Sequence, residues 1–149
     1  MTNYHSQFRG DLAFLSNMYP CHFTIDDIGY SSVEHYFQSM KTSNVEEKKS
    51  IIETESPVEA KKLGKKVTLR KDWEVIKDIV MFDGVFAKFK QNEKLANKLI
   101  HIDDSLLIEK NSWGDRYWGV DYNTGIGLNK LGKILKKVKM LLLLSNLKK

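Results

Sequence analysis

The apolar positions of this chain recur mostly at helical spacing, about every 3.6 residues. In "SSVEHYFQSMK", residues 31–41, Val33, Phe37 and Met40 form an apolar stripe, and Glu34, Gln38 and Lys41 form a polar stripe beside it. The spacing predicts a helix with a carboxylate, an amide and an amine along the rim of its core-facing side. Ser31 and Glu34 match the Ser-x-x-Glu capping box that opens helices. "SPVEAKKLG" (56–64) starts with Ser56, places Pro57 at the first helical position and stops at Gly64, so a short helix is predicted there. Trp73, Ile76, Val80, Phe86 and Phe89 mark a long core helix over 72–91. "NEKLANKLIHI" (92–102) continues as another, with Asn92 as its expected N-cap. The run "GIGLNKLGKILKKVKMLLLL" (125–144) predicts a closing helix that opens from glycines. Two stretches depart from the helical period. "CHFTIDDIGYS" (21–31) alternates around an Asp-Asp-Ile-Gly turn, as a hairpin does, and "SLLIEKN" (105–111) is short and apolar like a strand. The sum is an α+β fold, a single mostly helical domain with a few short strands.

Composition adds bounds. The chain has 149 residues, 42% hydrophobic and 29% charged, and no linker or repeat divides it. One cysteine, Cys21, excludes an internal disulfide and fits a reducing compartment. The N-terminus has no basic region leading into an apolar one, and "MLLLL" (140–144) falls far short of the roughly 20 apolar residues of a membrane span. A cytoplasmic protein with no membrane association is expected.

The net charge of +5 invites a nucleic-acid reading, but six lysines and no acid lie between 133 and 149. They are Lys133, Lys136, Lys137, Lys139, Lys148 and Lys149; without them 18 basic residues face 19 acidic ones, for −1. Only Arg9, Arg70 and Arg116 are arginines, the usual bidentate readers of guanine. The tail reads first as a solvated helix face and second as a polyanion contact.

Most catalytic motifs fail here. Gly127 to Lys133 spells the start of a phosphate-binding loop, but Ile134 stands where the magnesium-holding Ser or Thr belongs. His5, His22, His35 and His101 lack metal-ligand spacing, so no metal is expected. What survives is "EKNSWGDRYWGVDYN" (109–123), where Trp113-Gly114 and Trp118-Gly119 bracket Asp115. Aromatic side chains on a loop beside a carboxylate suit a flat ring joined to a sugar, although either tryptophan alone could simply fill a core.

Taken in order, "FLSNMYPC", "YSSVEHYFQSMK", "KKLG", "LRKDW", "LLIEKNSWGDRYWG" and "GLNKLGKIL" resemble the NADAR family of YbiA-like proteins. The resemblance covers Phe8 to Val138, which makes 1–138 the family domain and 139–149 a lysine- and leucine-rich tail. It implies an N-glycosidase cutting the bond between ribose and a base-like amine. The substrates it implies are ribosylamino-pyrimidine phosphates of riboflavin synthesis, or ADP-ribosylated guanine in nucleic acid. Carried over, Glu34, Lys41 and Asp115 are the expected catalytic residues. Trp118, Phe14, Ser16, Asn17, Tyr19, Gln38 and Gly119 are the expected substrate contacts.

The residue types suit that reaction. Cleaving C1′–N builds positive charge on the sugar and negative charge on the leaving nitrogen, which a carboxylate and a carboxylic acid respectively stabilise. A neutral lysine can instead attack the ring-opened imine carbon and form a Schiff base. Lys41 is the expected nucleophile, Glu34 the proton carrier and Trp118 the stacking surface, with no cofactor. Two alternatives belong to other classes: a module that binds ADP-ribose or an NAD-like nucleotide without turnover, and a nucleic-acid binder using the lysine tail.

Overall fold

The computed structural model describes residues 7–147, so His5, Lys148 and Lys149 lie outside the described residues. The chain forms two compact units, one built from the residues up to Ser16 together with those from Glu93 onward, the other from Asn17–Asn92.

The Asn17–Asn92 unit is organised around one short helix. A hairpin comes first, with β1 (Phe23–Ile25) antiparallel to β2 (Ile28–Tyr30). Its two turn residues are Asp26 and Asp27, both left-handed at φ 53° and 66°. Positive φ at both central positions matches the right-handed twist of the strands. The turn therefore sits two residues earlier than the Ile-Gly end of the predicted segment, and Ile28 and Gly29 are strand. Helix α1 (Val33–Ser39) follows, packed by α2 (Val45–Glu53), α3 (Pro57–Gly64), α4 (Trp73–Gln91) and β2. All seven α1 residues are buried. Tyr30, Tyr36 and Phe23 close the β side of α1, Tyr30 and Tyr36 meeting edge to face at 5.0 Å. On α4, a Cβ at Gly84 would stand 2.8 Å from Tyr36 Cδ1, so the missing side chain sets how closely the two helices approach.

The capping-box expectation is corrected. Ser32, not Ser31, caps α1, accepting the His35 N–H at 3.1 Å. Ser31 is still tied to the hairpin, its carbonyl accepting the Cys21 N–H at 3.1 Å, so the helix cannot start earlier. His35 Nε2 donates to the Thr54 carbonyl at 2.8 Å, and Nδ1 lies 2.7 Å from the Ser32 hydroxyl. Helix α3 opens as predicted, Ser56 accepting the Val58 and Glu59 N–H groups ahead of Pro57. Helix α2 is absent from the pattern reading because only Ile51 of it is buried; Asn44 caps it by accepting the Glu47 N–H.

In the other unit, α5 (Glu93–His101) packs on α6 (Lys130–Leu147). The predicted strand over 105–111 shrinks to β3 (Lys110–Asn111), paired in parallel with β4 (Val120–Asp121). Before it, Asp104–Leu106 is a 3₁₀ turn, because Asp103 accepts the Ser105 N–H and draws the backbone into a local turn. The apolar signal came from Leu107, which is fully buried. Asn92 does not enter α5 as an acceptor: its amide donates to the Lys88 carbonyl near the end of α4 and to the His22 carbonyl ahead of β1. Helix α6 runs unbroken through 138, with Leu131, Leu135, Val138 and Leu142 buried. Lys133, Lys136 and Lys137 are exposed, whereas Lys139 donates to the Ile102 carbonyl and to Asp104 Oδ1 at 2.7 Å. No helix among the described residues is long and apolar enough to cross a membrane.

Candidate active site

Glu34 opens the first turn of α1, its N–H bonded to the Asn17 carbonyl at 3.1 Å. Asn17 is itself held by its amide on Met81 Sδ of α4. Glu34 is 7% exposed and Gln38, one turn on, 4%. The expected rim of polar groups is thus corrected: two of the three are inside, because α3 lies over them. Gln38 Nε2 donates to Glu34 Oε1 at 2.7 Å. Burial pushes the Glu34 carboxyl above its ordinary range, against the lowering pull of the Gln38 bond and of Lys61, Lys41 and His35.

Lys41 falls just past the helix, whose C-cap is Met40. Its backbone is pinned on both sides: the N–H donates to Gln38 O, and the carbonyl accepts the Arg70 N–H at 2.8 Å. The half-buried side chain lies with Nζ 5.8 Å from the Phe37 ring centre. Burial pulls its ammonium below the ordinary lysine value; Glu34 opposes this, and Lys61 and Lys65 reinforce it. A cavity of ≈ 520 Å³ is lined by Thr42–Asn44 and Thr68–Asp72, and neither Lys41 nor Glu34 lines it.

Lys61, Lys65 and Gly64 are members of this constellation that the sequence pattern missed. Gly64 reads as a stop signal, yet its φ is ordinary and its role is spatial. A Cβ there would lie 1.9 Å from Gln38 Oε1 and 2.7 Å from Cδ. A second buried amine, Lys88 on α4, is 1% exposed, and burial lowers it to about 8. Its Nζ sits 5.6 Å from the ring of Tyr19, one of the expected substrate contacts, and 5.0 Å from Phe89. Burial also raises the Cys21 thiol, against the pull of Lys88.

The remaining expected residues lie in the other unit. Phe14 is buried beneath Lys98, whose Nζ stands 5.4 Å from its ring, and Ser16 ends the 3₁₀ turn Gly10–Leu15. Asp115 organises its loop: Oδ1 accepts the Tyr117 and Trp118 N–H groups at 3.1 and 2.9 Å. The Asn111 side chain grips the Asp115 backbone on both N–H and carbonyl. Trp118 is half-buried and meets Tyr117 edge to face at 4.8 Å, whereas Trp113 is 41% exposed. Gly119 lets β4 close on β3, since a Cβ would stand 2.2 Å from the Glu109 carbonyl oxygen. Among the described residues no cluster of three or more His, Cys, Asp or Glu could hold a metal.

Comparison with known proteins gives the family. The NADAR domain matches residues 4–143. An N-glycosidase of Nostoc punctiforme is 34% identical over 144 residues, covering 93% of this chain and 91% of that protein. The N-glycosidase YbiA of Escherichia coli is 32% identical over 131 residues, covering 87% of this chain and 81% of its own. A riboflavin biosynthesis protein of Vibrio vulnificus is 37% identical over 128 residues, covering 85% of this chain but only 34% of that longer protein. The solution structure of Escherichia coli YbiA superposes with a TM-score of 0.81 at 29% identity, covering 94% of this chain and 83% of the other. The mostly helical fold with two short two-stranded sheets is therefore YbiA-like, and the chain belongs to the NADAR family as a homologue of the YbiA N-glycosidases.

Proposed function

We propose that this protein hydrolyses the C1′–N bond between a ribose and a base-like amine, with ribosylamino-pyrimidine phosphates as its substrate class. The observation that carries the reading is the pair on α1: a buried carboxyl shifted toward its acid form and, past the end of the same helix, an amine shifted toward its neutral form. These are the protonation states that proton donation and nucleophilic attack require. Riboflavin biosynthesis proteins among the relatives, from Vibrio vulnificus and from the maize chloroplast, favour the free pyrimidine nucleotide. ADP-ribosylated guanine rests on the family resemblance alone.

In the proposed sequence, ring opening of the ribosylamine exposes an imine carbon at C1′. The Lys41 amine adds there, and the C1′–N bond to the base breaks as Glu34 delivers its proton to the leaving nitrogen. The resulting lysine imine takes up water, releasing the ribose aldehyde and restoring the free amine. Asp115 and Trp118, in the other unit, are carried over from the family resemblance as candidates for charge stabilisation and stacking.

A product assay tests this. Incubation with a ribosylamino-pyrimidine phosphate should release the free pyrimidine and ribose phosphate in equal amounts. ADP-ribosylated guanosine in an oligonucleotide is the parallel arm. Turnover there alone would reassign the substrate, and tight binding without products in either arm would make the protein a nucleotide-binding module.

A further inference from the structure

Gln38 spends an amide hydrogen on Glu34 Oε1, while its own Oε1 is buried with no hydrogen-bond partner. Buried polar atoms in folded proteins are almost always hydrogen-bonded, so an orphaned acceptor beside a carboxyl group calls for a donor. An ionised Glu34 has no proton to offer it, whereas a protonated Glu34 has one. The carboxyl's terminal torsion is soft and roughly two-fold, so its O–H can turn onto the amide oxygen. Water is not the missing donor on the α3 side. The space next to Gln38 Oε1 is so tight that even a methyl group at Gly64 would overlap it.

Gly64 supplies an independent observation. Its backbone does not require glycine, since its φ is not positive, and glycine is a poor helix residue. Space for the Gln38 amide is what the position provides. A Cβ there would press on Gln38 Oε1, Cδ and Cβ at 1.9, 2.7 and 3.0 Å, so the amide could not keep its place.

We infer that Gln38 is a positioning residue that holds Glu34 as the neutral acid. Its N–H donates to Glu34 Oε1, the carboxyl O–H donates back to Gln38 Oε1, and Gly64 of α3 is the notch that keeps the amide in register. The inference rests on Glu34 being the proton donor of the proposed reaction. It adds the device that keeps the proton on that group at neutral pH. The charged groups acting on Glu34 are Lys61 from α3, His35 within α1 and Lys41 past its end, all of which favour the carboxylate. The Gln38 N–H bond to Oε1 taken by itself also favours the carboxylate; the return O–H bond onto Gln38 Oε1, which only the acid can make, works against all of them.

Carbon-13 NMR of labelled glutamate gives the test, with Glu34→Gln identifying the Glu34 resonance. It reads protonation directly and needs no turnover. In the wild type the Glu34 carboxyl should titrate above the other glutamates. In Gln38→Met, similar in shape but unable to bond, the midpoint should fall by about one pH unit, a tenfold change in the acid–carboxylate ratio. Gly64→Ala should move it in the same direction, which guards against a peculiarity of either variant. A midpoint that stays or rises in Gln38→Met overturns the inference. It would mean that the amide merely steadies a carboxylate or that burial alone sets the value. Should neither N-ribosyl substrate be cleaved, the titration still decides the pairing, so the two readings fail separately.

Discussion

Glu34 and Lys41 act on each other's proton affinity from the two ends of α1: the lysine pulls the carboxyl down, the carboxylate pulls the amine up, and burial overrides both. The ionisations are thereby drawn together. The pH profile of kcat/KM should be a bell whose acid limb lies above the ordinary glutamate range and whose alkaline limb lies below the ordinary lysine value. Stability follows with definite signs. The raised Glu34 contributes stability that is present below its unfolded pKa and lost as pH rises through its folded one. The lowered Lys41 contributes stability above its unfolded pKa that is lost as pH falls through its folded one. Thermal unfolding against pH in wild type and Glu34→Gln should show the fall in stability with rising pH between the unfolded and folded Glu34 values disappear in the variant.

Glu34→Gln should keep the fold and lose nearly all turnover. A neutral amide can still meet Gln38 in the buried pair but has no acidic proton to give. Circular dichroism and product release, measured on one preparation, check both halves. Wild-type turnover would reduce Glu34 to a structural role.

Lys41→Arg should be inactive, since a guanidinium stays charged and cannot form an imine. Borohydride added during wild-type turnover should leave a ribose-derived adduct on the peptide carrying Lys41, read by mass spectrometry. Lys88, lowered to about 8, is the competing amine. An adduct there would move the nucleophile to α4.

Asp115→Asn separates charge from loop shape. An asparagine oxygen can still accept the Tyr117 and Trp118 N–H groups, so the loop should persist. The expected result is a kcat that falls far more than KM rises, as for charge developing in the transition state. Trp118→Ala should chiefly raise KM. Steady-state kinetics on both variants tests the division, and exchanged phenotypes would reverse it.

Ser32→Ala should destabilise the protein by about 1–2 kcal/mol, since Ser32 both caps α1 and meets the buried His35 ring. Ser31→Ala, at an exposed position, should stay within about 0.5 kcal/mol. Denaturant unfolding of the two variants decides which serine holds the helix.

Local signals were enough for α3, α4, α5 and α6. Ser56-Pro57, the apolar period from Trp73 to Phe89 and the stripe over Leu131, Leu135 and Val138 each act within a few turns of chain. The same holds for the hairpin, where alternation on both sides of two aspartates suffices. The ordered blocks from Phe8 to Val138 carried the family as well. Other features depended on contacts distant in sequence. Ser31 lost the cap to Ser32 because its carbonyl pairs with Cys21, ten residues back. Glu34, Gln38 and Lys41 share a stripe in any helix. Only α3, brought close by the missing side chain of Gly64, encloses Glu34 and Gln38 and sets Lys61 near the amine. Spacing along one helix determines which groups share a face. Proton affinity follows from what is packed against that face, and that is decided by residues no local window contains.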